Sequence, residues 1–188
     1  MRVAAVQLDV ALGDVRSNLS ACDALAREAA AAGAEAIALP EFFTSGAAFR
    51  PELAGAALAP DGRATEMLLE VAAGEGVLIG GSFLCRDVDG QVRNAFLLAG
   101  PDGLLGRHDK DLPTMWENSF YVGGSDDGVF ELSNGLRVGV ALCWELMRTQ
   151  TVRRLRGRVD LVMAGSGWWS IPQRRPPACE AWTSGAPT

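Results

Sequence analysis

The chain has 188 residues, 48% of them hydrophobic, and a formal net charge of -6. This length fits one domain that buries roughly 70% of its unfolded surface, so no metal or disulfide support is needed. The acidic balance argues against a nucleic-acid-binding protein. No apolar run approaches the length of a membrane span, so we expect no membrane partner either.

The cysteines argue against a zinc site or a disulfide framework. The chain has four of them and one histidine, with no C-x-x-C pair and no histidine cluster. The cysteines are Cys22, Cys85, Cys143 and Cys179. The N-terminal segment RVAAVQLDV is too short and too quickly acidic for a secretory signal. We therefore expect a reducing, cytoplasmic location.

Strands and helices alternate in the first part of the chain. Residues 2–8 and 36–39 are predicted strands, and an alanine-rich helix over residues 17–32 connects them. Two strands joined in this way are expected to be parallel. A helix over residues 61–73 and a strand over residues 77–84 repeat the alternation, which indicates an α/β fold.

The second half of the chain contains a long irregular segment. The other predicted elements are strands over residues 92–99, a short strand ending at Arg107, a hairpin of residues 129–132 and 136–142, a basic helix, and a strand over residues 160–164. Residues 108–128 lack a regular pattern, and structureless loops of this length are uncommon unless they carry function. We expect functional side chains there.

Two segments are assigned structural roles. The basic residues Arg153, Arg154, Arg156 and Arg158 have the spacing of the solvated side of a short helix. After Ser170 the chain has four prolines and no apolar period, so it cannot supply another strand or helix. We predict a domain of residues 1–170 and an irregular tail of residues 171–188, which is either a flexible terminus or the sign of an incomplete chain.

Cys143 ends the apolar strand of VGVALCWE. Open α/β sheets bind ligands beyond the carboxyl ends of their strands, where a thiol can act as a nucleophile. The alternative is a small buried residue in the core, which is common for free cysteine. A cysteine nucleophile needs a base, because a free thiol is mostly neutral at pH 7.

Glu41, Lys110 and His108 are the possible partners of Cys143. Glu41 follows the second predicted strand in LPEFF, and its apolar neighbours would raise the pKa of its carboxyl group towards neutrality. Lys110 lies in the long loop and could neutralise the charge that develops when a carbonyl or nitrile carbon is attacked. His108, the one histidine, would instead form a cysteine-histidine pair.

Four ordered motifs resemble the nitrilase superfamily of carbon-nitrogen hydrolases. They are the N-terminal VAAVQLDVALGDVRSNL, then PEFF, then HDKDLPT, and finally GVALCWE. The resemblance runs from Met1 to about Trp169. It implies an α-β-β-α sandwich and a catalytic triad of Glu41, Lys110 and Cys143, with Glu117 as a second glutamate that positions the triad.

The resemblance also implies a mechanism without any cofactor. Glu41 takes the thiol proton and Cys143 adds to the carbon atom of a small-molecule amide or nitrile, while Lys110 stabilises the tetrahedral intermediate. The backbone N–H of Trp144 follows the nucleophile and is a second candidate donor. Ammonia or an amine leaves, and water hydrolyses the thioester. Members of this family commonly pair through an outer helical layer, so a homodimer or higher homo-oligomer is expected.

Two further functions stay open at this point. Nitrile hydrolysis uses the same triad as amide hydrolysis, and we favour the amide. The irregular tail also fits a truncated, catalytically inactive interaction protein, because members of this family are usually longer and their last part completes the second sheet. A substrate pocket could be walled by aromatic residues, and packing in the core is the alternative role for them. These residues are Phe42, Phe43, Trp116, Phe120, Trp168 and Trp169.

Overall fold

The strands and helices follow the predicted order along the chain. The computed structural model describes residues 1–48 and 50–167. The strands are β1 (Val3–Ala5), β2 (Ala36–Ala38), β3 (Leu78–Arg86), β4 (Val92–Gly100), β5 (Gly103–Asp109), β6 (Val129–Glu131), β7 (Arg137–Val140) and β8 (Leu161–Met163). The α-helices are α1 (Val15–Ala31), α2 (Arg63–Glu75) and α3 (Thr149–Leu155), and 3₁₀ turns lie at Pro51–Ala56, Met115–Ser119 and Cys143–Met147.

The strands form two sheets. The first has the order β1-β2-β3-β4-β5, and the second has the order β6-β7-β8. β1, β2 and β3 are mutually parallel, as a helical crossover between consecutive strands requires, whereas β4 and β5 continue the sheet as antiparallel hairpins. In the second sheet β7 pairs antiparallel with β6 and parallel with β8.

Alternating side chains of the first sheet build two hydrophobic layers. Ile79 and Leu97 point to a core shared with α1 and α2. Their neighbours Leu78 and Phe96 point the other way and pack against Val140 and other side chains of the second sheet. A strand sends successive side chains to opposite faces, so β3 and β4 are buried on both sides.

Helix α3 covers the outer face of the second sheet. A side chain added at Gly139 of β7 would lie 3.0 Å from Leu155 of α3 and 2.9 Å from Val159. The absence of a side chain at Gly139 therefore lets the helix approach the sheet. The layers are helix, sheet, sheet and helix, which confirms the predicted α-β-β-α sandwich.

Two predicted boundaries were wrong for physical reasons. The first strand was predicted over residues 2–8, but β1 is an edge strand that pairs only with the three residues of β2. The first helix begins at Val15, earlier than predicted, because the Asp14 carboxylate accepts a hydrogen bond of 3.0 Å from the backbone N–H of Ser17 and caps the helix.

The basic residues near α3 are not all solvated, which corrects the prediction. Arg154 is mostly buried and donates to the carbonyl oxygens of Asp127 at 2.8 Å and Val140 at 3.1 Å. Arg156 and Arg158 lie beyond the end of the helix, and Arg158 pairs with Asp127. Arg154 therefore ties α3 to β7.

The predicted tail of residues 171–188 lies outside the described residues, and the domain boundary at residue 170 stays a prediction. Among the helices of residues 1–48 and 50–167, none is long and apolar enough to cross a membrane.

Candidate active site

Glu41 is buried immediately after β2, and three donors hold its carboxylate. Oε1 accepts hydrogen bonds from Lys110 Nζ and Asn94 Nδ2, both at 2.9 Å, and Oε2 accepts one from the backbone N–H of Gly167 at 2.9 Å. Only 2% of the residue is exposed. Burial raises the pKa of Glu41, and the positive charge of Lys110 opposes that rise. The Glu41 carboxyl group is thus held away from water and paired with Lys110.

Lys110 lies between two carboxylates and is fully buried. Its ammonium group donates to Glu41 at 2.9 Å and to both oxygens of Glu117, at 2.9 and 3.2 Å. Burial lowers the pKa of Lys110, but the charges of the two glutamates outweigh this and raise it. An ammonium has three N–H donors, and these three contacts use all of them; the contact of 3.2 Å with Glu117 is the longest.

Glu117 is held in place by the turn that carries it. Its Oε2 accepts a hydrogen bond of 2.6 Å from the Tyr121 hydroxyl and one of 2.5 Å from the backbone N–H of Thr114. The residue is 6% exposed, so a surface role is excluded by its position. The structure therefore brings Glu117 to Lys110, as the resemblance implied.

Cys143 lies three residues after the end of β7 and is partly exposed. Its backbone N–H donates to the Gly165 carbonyl at 2.9 Å, and the Ser166 hydroxyl lies 3.4 Å from Sγ. Burial raises the pKa of the Cys143 thiol, and so does the negative charge of Glu41. The raised pKa favours the neutral thiol, so attack by Cys143 would need a base.

Backbone strain is concentrated around these side chains. Within the described residues, only three non-glycine residues have positive φ: Phe42 at 55°, Met115 at 50° and Cys143 itself at 49°. Phe42 follows Glu41, and Met115 lies in the turn of Glu117. Strain of this kind costs of order 1–3 kcal/mol per residue and persists where the surroundings fix the conformation, often at functional sites.

Comparison with known proteins identifies the family of this chain. Residues 2–178 match the carbon-nitrogen hydrolase family. The chain belongs to that family. It is 31% identical over 160 residues to a nitrilase of Pyrococcus abyssi, covering 82% of this chain and 60% of the relative. It is 37% identical over 142 residues to an omega-amidase of Xenopus tropicalis, covering 69% of this chain and 50% of the relative. The chain thus spans only half to three fifths of the lengths of these relatives.

A solved structure shows the same fold. The carbon-nitrogen hydrolase superfamily protein of Xanthomonas campestris, which carries an arsenic adduct in its active site, is 27% identical and superposes with a TM-score of 0.76. The match covers 95% of this chain and 67% of that protein. The sandwich of this carbon-nitrogen hydrolase family member is therefore that of the family.

In this family member His108 does not reach the thiol. Its Nδ1 lies 2.5 Å from Asp126 and its Nε2 lies 3.1 Å from Glu145. Burial alone would lower the pKa of His108, but the two carboxylates raise it to about 9. A protonated ring that donates from both nitrogens cannot act as a base, so the structure argues against the cysteine-histidine alternative.

The aromatic residues divide into two groups. Phe42, Trp116 and Phe120 line a cavity of about 10 Å³ beside Glu117, room for roughly one water molecule. Phe43 instead packs in the core, with its ring 6.0 Å from that of Phe83. Trp168 and Trp169 lie outside the described residues. The cavity that Phe42, Trp116 and Phe120 line is therefore small and mainly apolar.

Sequence reasoning missed three contributors to this family member's site. Asn94 was the detectable one, since it is a polar residue inside the apolar run of β4. Gly167 and Ser166 follow β8, at the same sheet end as Cys143, so the strand-end rule used for the cysteine could have found them. Trp144 was predicted for its backbone N–H; it is the second residue of the 3₁₀ turn that begins at Cys143, and 52% of the residue is exposed.

The pKa values around His108 predict a pH dependence of stability. Because the folded pKa is raised from 6.5 to about 9, the protonated histidine stabilises the fold fully below pH 6.5 and loses this contribution as the pH rises through 9. We expect the melting temperature to fall between pH 7 and 9, by an amount on the order of 5 °C. The test compares the pH at which the melting temperature falls in the wild type and in Asp126→Asn. Without the charge of Asp126 the pKa of His108 should be raised less, so the fall should occur at lower pH. An identical profile in both would contradict the assignment.

Proposed function

We propose that the chain hydrolyses the carbon-nitrogen bond of small amides, with Cys143 as nucleophile, Glu41 as general base and Lys110 as the stabilising cation. One observation carries the proposal. A buried Glu41–Lys110 ion pair meets a partly exposed cysteine whose backbone is strained, where the ends of the two sheets meet. The omega-amidase among the relatives supports an amide as substrate.

The charges in the site favour a concerted first step. Burial and the negative charge of Glu41 both raise the pKa of the Cys143 thiol, so the thiol is protonated at rest. As Sγ bonds to the amide carbon, the thiol proton passes to Glu41, and the carbonyl oxygen gains the negative charge. The proposed donors to that oxygen are the backbone N–H of Trp144 and the Lys110 ammonium, which would give up its longest contact with Glu117, 3.2 Å, to do so.

The same groups can complete the reaction. The proton held by Glu41 passes to the leaving nitrogen, so ammonia departs from an unsubstituted amide and the acyl group remains on Sγ as a thioester. Glu41, again ionised, takes a proton from water as the water attacks the thioester, and the acid is released with the thiol restored. Glu117 keeps Lys110 in place throughout and does not touch the substrate.

The proposed substrate is small. The mainly apolar side chains that lie beside Glu117, among them Phe42 and Phe120, favour an uncharged acyl group. The requirement for a reduced thiol favours a cytoplasmic location. A homodimer would cover the exposed apolar residues of the outer layer. These are Leu146, Met147, Val152 and Val162.

Ammonia release from a panel of short aliphatic amides and the matching nitriles tests the proposal. We expect release from at least one amide by the wild-type chain and none above background by Cys143→Ala, because the acyl group then has no sulfur to bond to. Release from nitriles alone would assign nitrile hydrolysis, which the Pyrococcus abyssi relative supports as the second candidate. A folded chain that releases ammonia from neither would contradict both and match an inactive interaction protein.

A further inference from the structure

A second buried carboxylate lies behind the candidate nucleophile. Glu145, two residues after Cys143, has no exposed surface. Its Oε2 accepts a hydrogen bond of 2.6 Å from the backbone N–H of Leu142, and its Oε1 accepts one of 2.8 Å from the backbone N–H of Asp111. One side chain thereby joins two segments that are more than thirty positions apart in sequence.

The two segments are those that carry the reacting groups. Leu142 directly precedes Cys143, and Asp111 directly follows Lys110. The Glu145 carboxylate therefore sets the separation between the backbone of the nucleophile and the backbone of the cation. Arg148, which begins the helical segment behind the site, adds a second link to the same segment by pairing with Asp111 at 2.6 Å.

A buried carboxylate needs compensation, and His108 supplies it. His108 Nε2 lies 3.1 Å from Glu145, and His108 is itself two residues before Lys110 on β5. Asp126 holds the other ring nitrogen and also accepts a hydrogen bond of 2.9 Å from the backbone N–H of Asp109. Burial raises the pKa of Glu145, but the protonated His108 and the two backbone donors lower it to about 2. The network therefore stays charged across the neutral range.

We propose that Glu145, with His108 behind it, is a positioning residue that fixes Cys143 relative to Lys110. This inference rests on the proposed function. Glu145 touches none of the groups that would react, so its effect passes through the two backbone N–H groups it holds. Misplacement of reacting groups by about 1 Å can cost roughly 100-fold in rate, so a large effect on turnover is expected from a residue outside the reaction itself.

Glu145→Gln is the decisive variant, because a glutamine has one acceptor oxygen where two backbone N–H groups and a protonated histidine must be met. We expect kcat for the best amide to fall roughly 10- to 100-fold while KM stays within about threefold of the wild type. The exposed Glu70→Gln on α2 is the matched control and should leave both constants unchanged. His108→Gln leaves both backbone hydrogen bonds possible and should cause a smaller loss of kcat.

A second measurement does not depend on turnover. Alkylation of Cys143 by iodoacetamide, followed by mass spectrometry, should be at least about fivefold slower in Glu145→Gln than in the wild type, because the thiol no longer meets Glu41 correctly. If the wild type releases no ammonia, the proposed function fails, and the alkylation rates still decide the positioning role. Wild-type kcat, or wild-type alkylation, in folded Glu145→Gln overturns the inference. If that variant does not fold, the same comparison is made with His108→Gln, and a wild-type rate there overturns it.

Discussion

Glu41→Gln should lower kcat/KM for the amide substrate roughly 100-fold or more while the chain stays folded. Glutamine has nearly the same shape and can still accept from Lys110, but its amide cannot take the proton of Cys143. General-base catalysis contributes about 10²- to 10⁴-fold, and the lost step lies at the start of the reaction. The remaining Lys110–Glu117 pair is neutral overall, so the buried site keeps a balanced charge.

The measurement is steady-state ammonia release, with Glu70→Gln as the isosteric control on an exposed helix face. Activity within tenfold of the wild type in folded Glu41→Gln would remove Glu41 as the base. Thiol labelling adds a readout that does not need a substrate, although selectivity for Cys143 over other cysteines is not enough by itself. Cys22 and Cys85 are buried, and burial raises the pKa of each to about 12, so both should react slowly whatever the base does. The informative comparison is the Cys143 rate before and after the substitution.

Local patterns in the sequence located the three proposed catalytic residues, because each stands where a regular pattern breaks. Cys143 and Glu41 each end an apolar run, and Lys110 lies where the β5 strand gives way to irregular chain. The strand-end rule needs no knowledge of the partners, so it works on one sequence. The alternation of elements indicated an α/β fold, whereas the sandwich was implied by the family resemblance alone.

The contacts that hold the site could not be found in this way. Glu41 is held by Asn94, 53 positions later, and by Gly167, 126 positions later. These contacts depend on the register of β3 against β4 and on how the second sheet packs on the first, which no local pattern encodes. His108 shows the same limit, since it was a candidate base as the one histidine of the chain and only the fold brings Asp126 and Glu145 to its two nitrogens.

Glycine at position 165 shows why the second sheet matters to the first. A Cβ atom at this position would lie 2.8 Å from the backbone nitrogen of Glu41, closer than real Cβ contacts allow. The carbonyl oxygen of Gly165 accepts a hydrogen bond from the backbone N–H of Cys143. Gly165 therefore lies between the proposed base and the proposed nucleophile and lets both backbones approach. The requirement is tertiary, since the sequence around Gly165 shows only a glycine after a strand.

Lys110→Met should lower the free energy of unfolding by about 3–5 kcal/mol at pH 7 and abolish ammonia release. The substitution leaves Glu41 and Glu117 buried without their shared cation, and breaking a buried ion pair from one side costs that much because an uncompensated charge remains. In a chain of this length the melting temperature should fall by roughly 10 °C. The exposed cation of the Arg27–Glu75 pair gives the control, since Arg27→Met should leave the melting temperature nearly unchanged.

The double variant Lys110→Met/Glu117→Gln separates the structural role of the lysine from its proposed chemical role. Removing the carboxylate of Glu117 should restore much of the lost stability, since Asn94 and Gly167 still hold Glu41. It should restore no activity, because no cation faces the developing oxyanion. Acid should also narrow the stability gap of the single variant. Without Lys110 no cation opposes the rise that burial gives the pKa of Glu41, so its folded pKa lies above the unfolded value and the fold gains relative stability as the pH falls and Glu41 becomes neutral. Thermal unfolding at pH 5 and pH 7, with parallel ammonia assays, tests both roles of Lys110. Ammonia release by the double variant would exclude Lys110 as the cation that stabilises the oxyanion. A stability difference between the wild type and Lys110→Met that depends neither on pH nor on Glu117 would contradict the charge argument.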